Sequence, residues 1–505
     1  MDCGNYYGCY WRFNKTTWLN FKRIMLENLK DKKILILGFG KEGIDTYLAL
    51  RKLFPEKVFG IADKKDIRNY ELEIKKLLTK DKNLKLYLGE NYLNAVGEYD
   101  IIIKTPGISQ TALGALGTKK PSAITSQTEI FFENFPGIVV GVTGTKGKGT
   151  TSSLIYEILK KAGLKVFLGG NIGKPVFQYL LKALPPHQSA KKDIQQNKKS
   201  KLKNIHFDWC GGEPQDIFVY ELSSHQLQNL KKSPQIAVFL NILQDHLDYY
   251  KNSQEYEKAK ANIALHQTEN DYLIFNSLDE KVKQIATKSN AIKIPFSSNT
   301  QLTPFERSLK MCYGLKGDHN FLNLRAALKV AELFKVKPDI IKMAVKNFKG
   351  LPHRLEYIGK FQGIEFYDNS MATIPQSTIL DLQTFNGKEI SLIVGGSDKG
   401  SDYNELAKEI IKNSVKNLII LGQGTGQKIL KEFEGGVKLL PGRREELNSF
   451  QTGSMKEAAK ICYEQTPKNG VCLLSPASAS FNLFIDYKDR GKQFKKYVKW
   501  YDNQK

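Results

Sequence analysis

Cysteine is scarce in this sequence and never arranged for chemistry. The six residues (Cys3, Cys9, Cys210, Cys312, Cys462, Cys472) are scattered, with no CxxC pair. That excludes a disulfide scaffold and a cysteine zinc site, and it fits a reducing cytoplasm. Long apolar runs are missing too. None reaches the ~18–20 residues that a membrane helix needs. The first residues, with Trp11, Arg12, Lys15 and Trp18, lack the continuous apolar stretch of a signal peptide. There is no internal repeat. Acidic residues fall short of basic ones, 52 against 76, which leaves a formal net charge of +24. The lysines are spread along the whole chain, mostly on helix faces between apolar residues, which reads as a solvated surface rather than a nucleic-acid footprint. The charge would still attract polyanions such as nucleotides without specifying one.

With 505 residues the chain is too long for one ordinary core, and three domains are the natural expectation. Residues 1–31 form an aromatic-rich extension without clear periodicity. From Lys33 the pattern turns β-α-β. The apolar run Ile34–Leu37 leads into Gly38-Phe39-Gly40-Lys41-Glu42-Gly43, and a second apolar run ends at Asp63. GxGxxG after a strand, with an acidic residue some twenty positions on, reads as a Rossmann-like nucleotide site, although many folds use this turn for tight packing only. A later strand runs from Asp100 to a loop at Thr105-Pro106-Gly107.

The densest signal lies at Val142-Thr143-Gly144-Thr145-Lys146-Gly147-Lys148-Gly149-Thr150-Thr151. It follows an apolar run and precedes an apolar-periodic helix. Glycines let backbone N–H groups approach phosphate oxygens, and the helix N-terminus adds a favourable dipole. Lys148 stands where it reaches β/γ-phosphates. Five residues separate Gly141 from Gly147, where the strict phosphate-loop pattern has four, and Gly149 occupies the usual hydroxyl position. A magnesium-binding hydroxyl must then come from Thr150, Thr151 or elsewhere. Residues 185–214, rich in Lys, Gln and Asn, read as an inserted surface loop.

Further strands end in polar groups. Glu221 closes Ile217–Glu221, where a carboxylate near a phosphate loop is a natural Mg²⁺ ligand. Asn241-Ile242-Leu243-Gln244-Asp245-His246 ends the next strand, and Asp245 reads equally as a helix cap or as part of a site. By periodicity alone Lys260 is one more surface lysine. Strands at Ile390–Val394, Asn417–Leu421 and Gly470–Leu474, each followed by a Gly- or Ser-rich turn, complete an α/β pattern of mostly parallel sheets.

Together these residues resemble the Mur ligases, ATP-dependent amino-acid-adding enzymes of peptidoglycan synthesis. The resemblance covers about residues 33–500. It is carried by the phosphate loop at 141–151, GGNIG at 169–173, ELSSHQL at 221–227, NILQDHLDYY at 241–250 and YEKAK at 256–260. GDHNFLN at 317–323, LPHR at 351–354, DNSMAT at 368–373, GGSDK at 395–399 and LLSPASASF at 473–481 follow in the family's order.

The resemblance implies an α/β protein of three domains: a Rossmann-like UDP-sugar domain at 32–126, a P-loop ATPase at 127–350 and a Rossmann-like amino-acid domain at 351–505. It implies addition of D-glutamate to UDP-N-acetylmuramoyl-L-alanine through an acyl phosphate, with ATP and two Mg²⁺ ions. On that reading Gly144, Thr145, Lys146, Gly147, Lys148, Gly149 and Thr150 bind ATP, joined by Asn320, Arg354 and Asn369. Glu221 and His246 ligate metal, with Thr150, and with Lys260 if it is carbamylated; Lys148, Glu221, His246 and Lys260 form the catalytic set. Lys41, Glu42, Asp63, Lys65 and Asn171 contact the UDP-sugar, and Thr373, Lys399, Ser480 and Tyr487 hold the amino acid. No protein partner, nucleic acid or membrane span is implied, and the chain is expected to act as a cytoplasmic monomer.

Departures from the family pattern bear on the product. Gly149 replaces a Ser/Thr and resembles the loop of folylpolyglutamate synthases. DNSMAT differs from the usual D-S-K-A-T: Asn369 replaces an aspartate, and Met371 removes a cation near the amino-acid pocket. Tyr487 stands where phenylalanine is common. An L-glutamate-adding sister enzyme and a folylpolyglutamate synthase are therefore the rival ligases, although the N-terminal GxGxxG unit argues against the second. A non-catalytic nucleotide-binding protein is the rival of a different class.

Overall fold

The computed structural model describes residues 29–66, 68, 70, 72–108, 123–173, 176–183, 216–243, 249–398, 400–434, 447–481 and 483–504. The expected extension at 1–31 and insert at 185–214 lie almost wholly outside them. Among the described residues, three sheets organise the chain. The first joins β1 (Ile34–Leu37), β2 (Phe59–Asp63), β3 (Leu84–Leu88), β4 (Ile101–Lys104) and β5 (Ala123–Ser126) in the order β3-β2-β1-β4-β5, all parallel. This is the strand order of doubly wound nucleotide-binding folds.

The second sheet contains β6 (Ile138–Thr143), β7 (Val166–Gly170), β8 (Ile217–Glu221), β9 (Ile236–Phe239), β10 (Tyr272–Asn276) and β11 (Ile292–Phe296), ordered β11-β10-β9-β6-β8-β7 and again parallel throughout. The third contains β12 (Glu356–Phe361), β13 (Ile364–Asp368), β14 (Ile390–Val394), β15 (Val415–Leu421), β16 (Asn448–Thr452) and β17 (Val471–Leu474), ordered β12-β13-β17-β14-β15-β16. Only β12 in this sheet runs antiparallel to its neighbour. Strands buried on both faces read as unbroken apolar runs: every residue of β1, β8, β9, β14 and β17 is buried.

The chain forms two compact units, Met1–Asn299 with Arg325–Ile341, and Thr300–Leu324 with Lys342–Lys505. The first unit holds the first two sheets. They share one core because the helix Gln127–Asn134, which leaves β5 directly, packs its aromatic face on the second sheet. Phe131 lies 4.6 Å from Phe218 and 5.3 Å from Tyr220, centroid to centroid. Buried Asp45 pins the same junction by accepting from Gln127 Nε2 and from the Phe177 backbone N–H, both at 2.9 Å. The second unit holds the third sheet. Among the described residues no helix is long and apolar enough to cross a membrane.

Candidate active site

Strand order explains the first cluster. β6 is central, with β8 on one side and β9 on the other, so three strand ends open together. β6 delivers the phosphate loop, β8 delivers Glu221 and β9 delivers Asn241. Gly147 caps the helix Lys148–Lys161 in a left-handed conformation, φ +85°, which an L side chain adopts only at a cost. The Asn241 side chain clamps the loop: its Oδ1 accepts from the Lys146 N–H at 2.8 Å and its Nδ2 donates to the Lys146 carbonyl at 3.1 Å. Thr145 Oγ1 meets Tyr256 Oη at 2.9 Å and accepts from the Leu243 N–H at 2.9 Å.

Two ammonium groups converge on this loop. Lys148 Nζ donates to the carbonyls of Gly144 at 2.9 Å and Thr145 at 3.0 Å. Lys260 Nζ donates to the same Gly144 carbonyl at 2.9 Å and lies 4.9 Å from the centre of the Tyr256 ring. Helix periodicity reads Lys260 as a surface residue; in the fold it is 1% exposed. Its helix, Ser253–Ala261, is started by Asn252, whose Oδ1 accepts from the Glu255 N–H.

Glu221 is 1% exposed and opposes Val142, two residues before Gly144. Asn171 Nδ2 donates to its Oε1 at 3.2 Å. Its other oxygen, Oε2, is buried without a hydrogen-bond partner. A buried, unpartnered carboxylate oxygen beside a phosphate loop is the donor that a hard divalent cation takes, so the residues fit Mg²⁺. Gly170 lets this corner close, because a Cβ there would meet the Glu221 carbonyl at 2.4 Å. Thr150 is buried, and Thr151, also buried, has a hydroxyl with no partner. His246 lies outside the described residues.

The residues expected at the uridine sit at the ends of β1 and β2. Asp63 accepts from the N–H groups of Phe39 and, at 2.7 Å, Lys65, and so ties down the GxGxxG turn. Lys65 Nζ lies over the Tyr70 ring at 4.7 Å, and Lys41 is exposed. Glu42 turns toward the second sheet and accepts from Gln226 Nε2 at 2.7 Å. Burial pushes its carboxyl up to about 7, against the Gln226 hydrogen bond, which lowers it. Burial likewise pushes the neighbouring Lys104 ammonium down to about 8. Asn171, expected with these residues at the UDP-sugar, donates to Glu221 at the end of β8.

The second unit repeats the principle. β17 is central between β13 and β14, and the three loops that follow carry Asn369, Gly395–Gly396 and Ser475–Ser480. Arg490, fully buried, ties them together: Nε donates to Ser370 Oγ at 3.0 Å, Nη2 to the carbonyls of Ser370 at 2.8 Å and Ser478 at 3.0 Å, and Nη1 to that of Gly395 at 3.3 Å. Ser480 is buried, and the Tyr487 carbonyl accepts from Ser370 Oγ at 2.8 Å. Arg354 and Thr373 are half-buried. Buried Asn320, on the helix Asp318–Leu333, donates to the Lys316 carbonyl at 2.8 Å. Lys399 lies outside the described residues. The expected ATP set is thus divided, with Gly144–Thr150 in the first unit and Asn320, Arg354 and Asn369 in the second.

One cluster here has metal-like composition: His353, Glu356 and Asp368 place their ligand atoms within 4.8 Å. Lys495 already supplies the cation, 2.8 Å from Glu356 and 3.9 Å from Asp368, and His353 Nδ1 pairs with Asp368 at 2.7 Å. Sequence reading misses this knot and Arg490. The one local signal is Gly491 beside the arginine, where a Cβ would lie 2.1 Å from His353 Nδ1.

A family model described as the Mur ligase middle domain matches residues 142–331. The UDP-N-acetylmuramoylalanine–D-glutamate ligase of Acetivibrio thermocellus is 32% identical over 492 residues, covering 94% of this chain and 97% of that one. Its namesake from Clostridium tetani is 33% identical over 484 residues, covering 93% and 97%. Among solved structures, the MurF ligase from Thermotoga maritima in complex with ADP superposes with a TM-score of 0.54 at 14% identity, covering 95% and 97%. The UDP-N-acetylmuramate-alanine ligase MurC from the same organism gives 0.52 at 17%, covering 94% and 100%. At such identities these two speak to the fold.

Proposed function

We propose, since this chain belongs to the Mur ligase family, that it is the ATP-dependent ligase joining D-glutamate to UDP-N-acetylmuramoyl-L-alanine. The observation that carries the chemistry is the convergence of Lys148 and Lys260 on the Gly144 carbonyl beside the half-unpaired carboxylate of Glu221. The choice of substrates is supported by relatives of that name along almost the whole chain. The five-stranded sheet ahead of the phosphate loop supports it over a folate-type ligase.

A carboxylate does not react with an amine until one oxygen becomes a leaving group. In the proposed route the alanyl carboxylate attacks the γ-phosphorus of ATP and expels ADP. The D-glutamate nitrogen then adds to the acyl-phosphate carbonyl, loses a proton, and the C–O bond to phosphate breaks. Lys148 and the N–H groups at the start of its helix hold the β/γ-phosphates in line. Glu221 and His246, with Lys260 if carbamylated and a hydroxyl of Thr150 or Thr151, would hold Mg²⁺, which neutralises charge on the transferring phosphoryl group. Carbamylation would turn the buried Lys260 ammonium into an anion suited to that ion. Thr373, Lys399, Ser480 and Tyr487 hold the glutamate, Lys399 by charge and the hydroxyls by hydrogen bonds. We further read the three sheets as three domains with boundaries near residues 126 and 350, acting in the cytoplasm.

The test is phosphate release from ATP with UDP-N-acetylmuramoyl-L-alanine, magnesium and bicarbonate, comparing D-glutamate, L-glutamate and no amino acid. Release stimulated by D-glutamate alone is expected. Stimulation by L-glutamate alone would keep the mechanism and reassign the product. Silence with both would sink the ligase reading for these substrates.

A further inference from the structure

Asn369 is the first residue after β13 and Ser475 the first after β17, and both turn to the same buried atom. Asn369 Nδ2 donates to Asp381 Oδ2 at 2.6 Å, and Ser475 Oγ donates to it at 2.7 Å. Asp381 is 2% exposed and comes from the helix Pro375–Thr384, behind the two loops. Thr378, one turn earlier on that helix, donates to the Ser475 carbonyl at 3.1 Å. The Asn369 N–H donates to the Leu474 carbonyl at 2.8 Å, so the two strand ends are already in register.

Asp381 Oδ2 accepts from the Ser475 hydroxyl, and against an accepting oxygen the amide of Asn369 has one acceptable orientation. Nδ2 faces Asp381 and Oδ1 faces away. That oxygen makes no hydrogen bond among the described residues, and Asn369 is half-buried rather than closed off. We propose that Asp381 is a positioning residue: it locks the Asn369 amide so that its carbonyl oxygen accepts from a donor of the nucleotide, a ribose hydroxyl or the base amino group. Through Ser475 the same carboxylate fixes the loop that carries Ser480, so one buried group sets both the nucleotide-facing and the amino-acid-facing loop. The proposal rests on the reading of Asn369 as a nucleotide contact.

The pair is a carboxylate facing an amide, and exchanging its members preserves the hydrogen bond. That makes the test a swap. ADP affinity is measured by calorimetry, and the melting temperature tracked, for the full-length protein, Asp381→Asn, Asn369→Ala and the double variant that combines Asn369→Asp with Asp381→Asn. Two facing amides can flip, so Asp381→Asn should weaken ADP binding about tenfold. The double variant should return to within about threefold of the parent. There the amide on the helix donates to the carboxylate on the loop, which keeps its second oxygen toward the nucleotide. A purely structural role would restore melting temperature without restoring affinity, and that result overturns the proposal. Unchanged affinity in Asp381→Asn, with weakened affinity in Asn369→Ala, overturns it too while leaving Asn369 as a nucleotide contact. If Asn369→Ala also binds as the parent does, the contact itself is wrong and the proposal falls with it. Should Asp381→Asn alone fail to fold, the double variant is read directly against the parent: retained affinity supports the lock and lost affinity overturns it.

Discussion

Glu42 is an acid that the fold keeps protonated well above its ordinary range. Burial raises its carboxyl from 4.5 to about 7, and nearby Asp45 pushes the same way. An acid with a raised folded-state pKa contributes stability that is complete below its unfolded value and lost as pH rises through the folded value. The window here runs from about 4.5 to about 7. Lys104, pushed down to about 8, acts with the opposite sign above that window, because its unfolded form holds the proton longer. Glu42→Gln keeps an acceptor for Gln226 and removes the titration. Urea unfolding at pH 5.5 and 7.5 should show the variant gaining about 1–2 kcal/mol on the parent across that interval. A constant difference between the two proteins would mean that Glu42 is ionised throughout.

At the scale of elements, the phosphate loop and its helix make the sharpest claim. Gly147 holds φ +85° at the start of Lys148–Lys161, and an alanine there pays roughly 1–2 kcal/mol for the left-handed turn. Gly147→Ala should therefore lower unfolding stability by about that amount and raise KM for ATP several-fold, with KM for glutamate little changed. Equal stability and unchanged KM would place the phosphates elsewhere. This loop was legible in the sequence because its chemistry is local: strand, glycines, lysine and helix follow one another. Central strands were legible for a related reason, since β1, β8 and β14 are buried on both faces and carry almost no polar residue that would blur the run. The edge strands β12 and β16 were not. Each is half-exposed; EYIGKF is interrupted by a glycine and two charges, and NSFQT is almost wholly polar, so neither gives an unbroken apolar run. Lys260 shows the limit in the site itself. Its helix pattern is that of a surface element, and only the tertiary fold draws it inside, through Tyr256 and Ala259 in the core, the Tyr256–Thr145 contact and its own hydrogen bond to Gly144. Asp381 and Arg490 gain their roles by joining loops from distant strands, which no local pattern records.

For the molecule as a whole, the dominant long-range property is charge. A formal net charge of +24 sets up a positive potential that extends about a Debye length, about 10 Å at 0.1 M salt. Some of the lysines are locally paired on helix faces, as Lys329 is with Glu332 and Lys412 with Glu409, and the basic residues are spread along the whole chain. The attraction should then depend on the ligand's charge rather than on a particular surface residue. Of the proposed substrates, ATP and the UDP-sugar carry several phosphate charges, and glutamate carries one net charge. Raising ionic strength from about 20 to 300 mM, with magnesium held constant, shortens the Debye length several-fold. Over that range kcat/KM for ATP and for the UDP-sugar should fall several-fold, while kcat/KM for glutamate should change by less than about twofold. Steady-state kinetics with each substrate varied in turn decides this. Parallel losses for all three would point to a general salt effect on the fold, and no loss for any would mean that the excess positive charge serves only as a solvated surface.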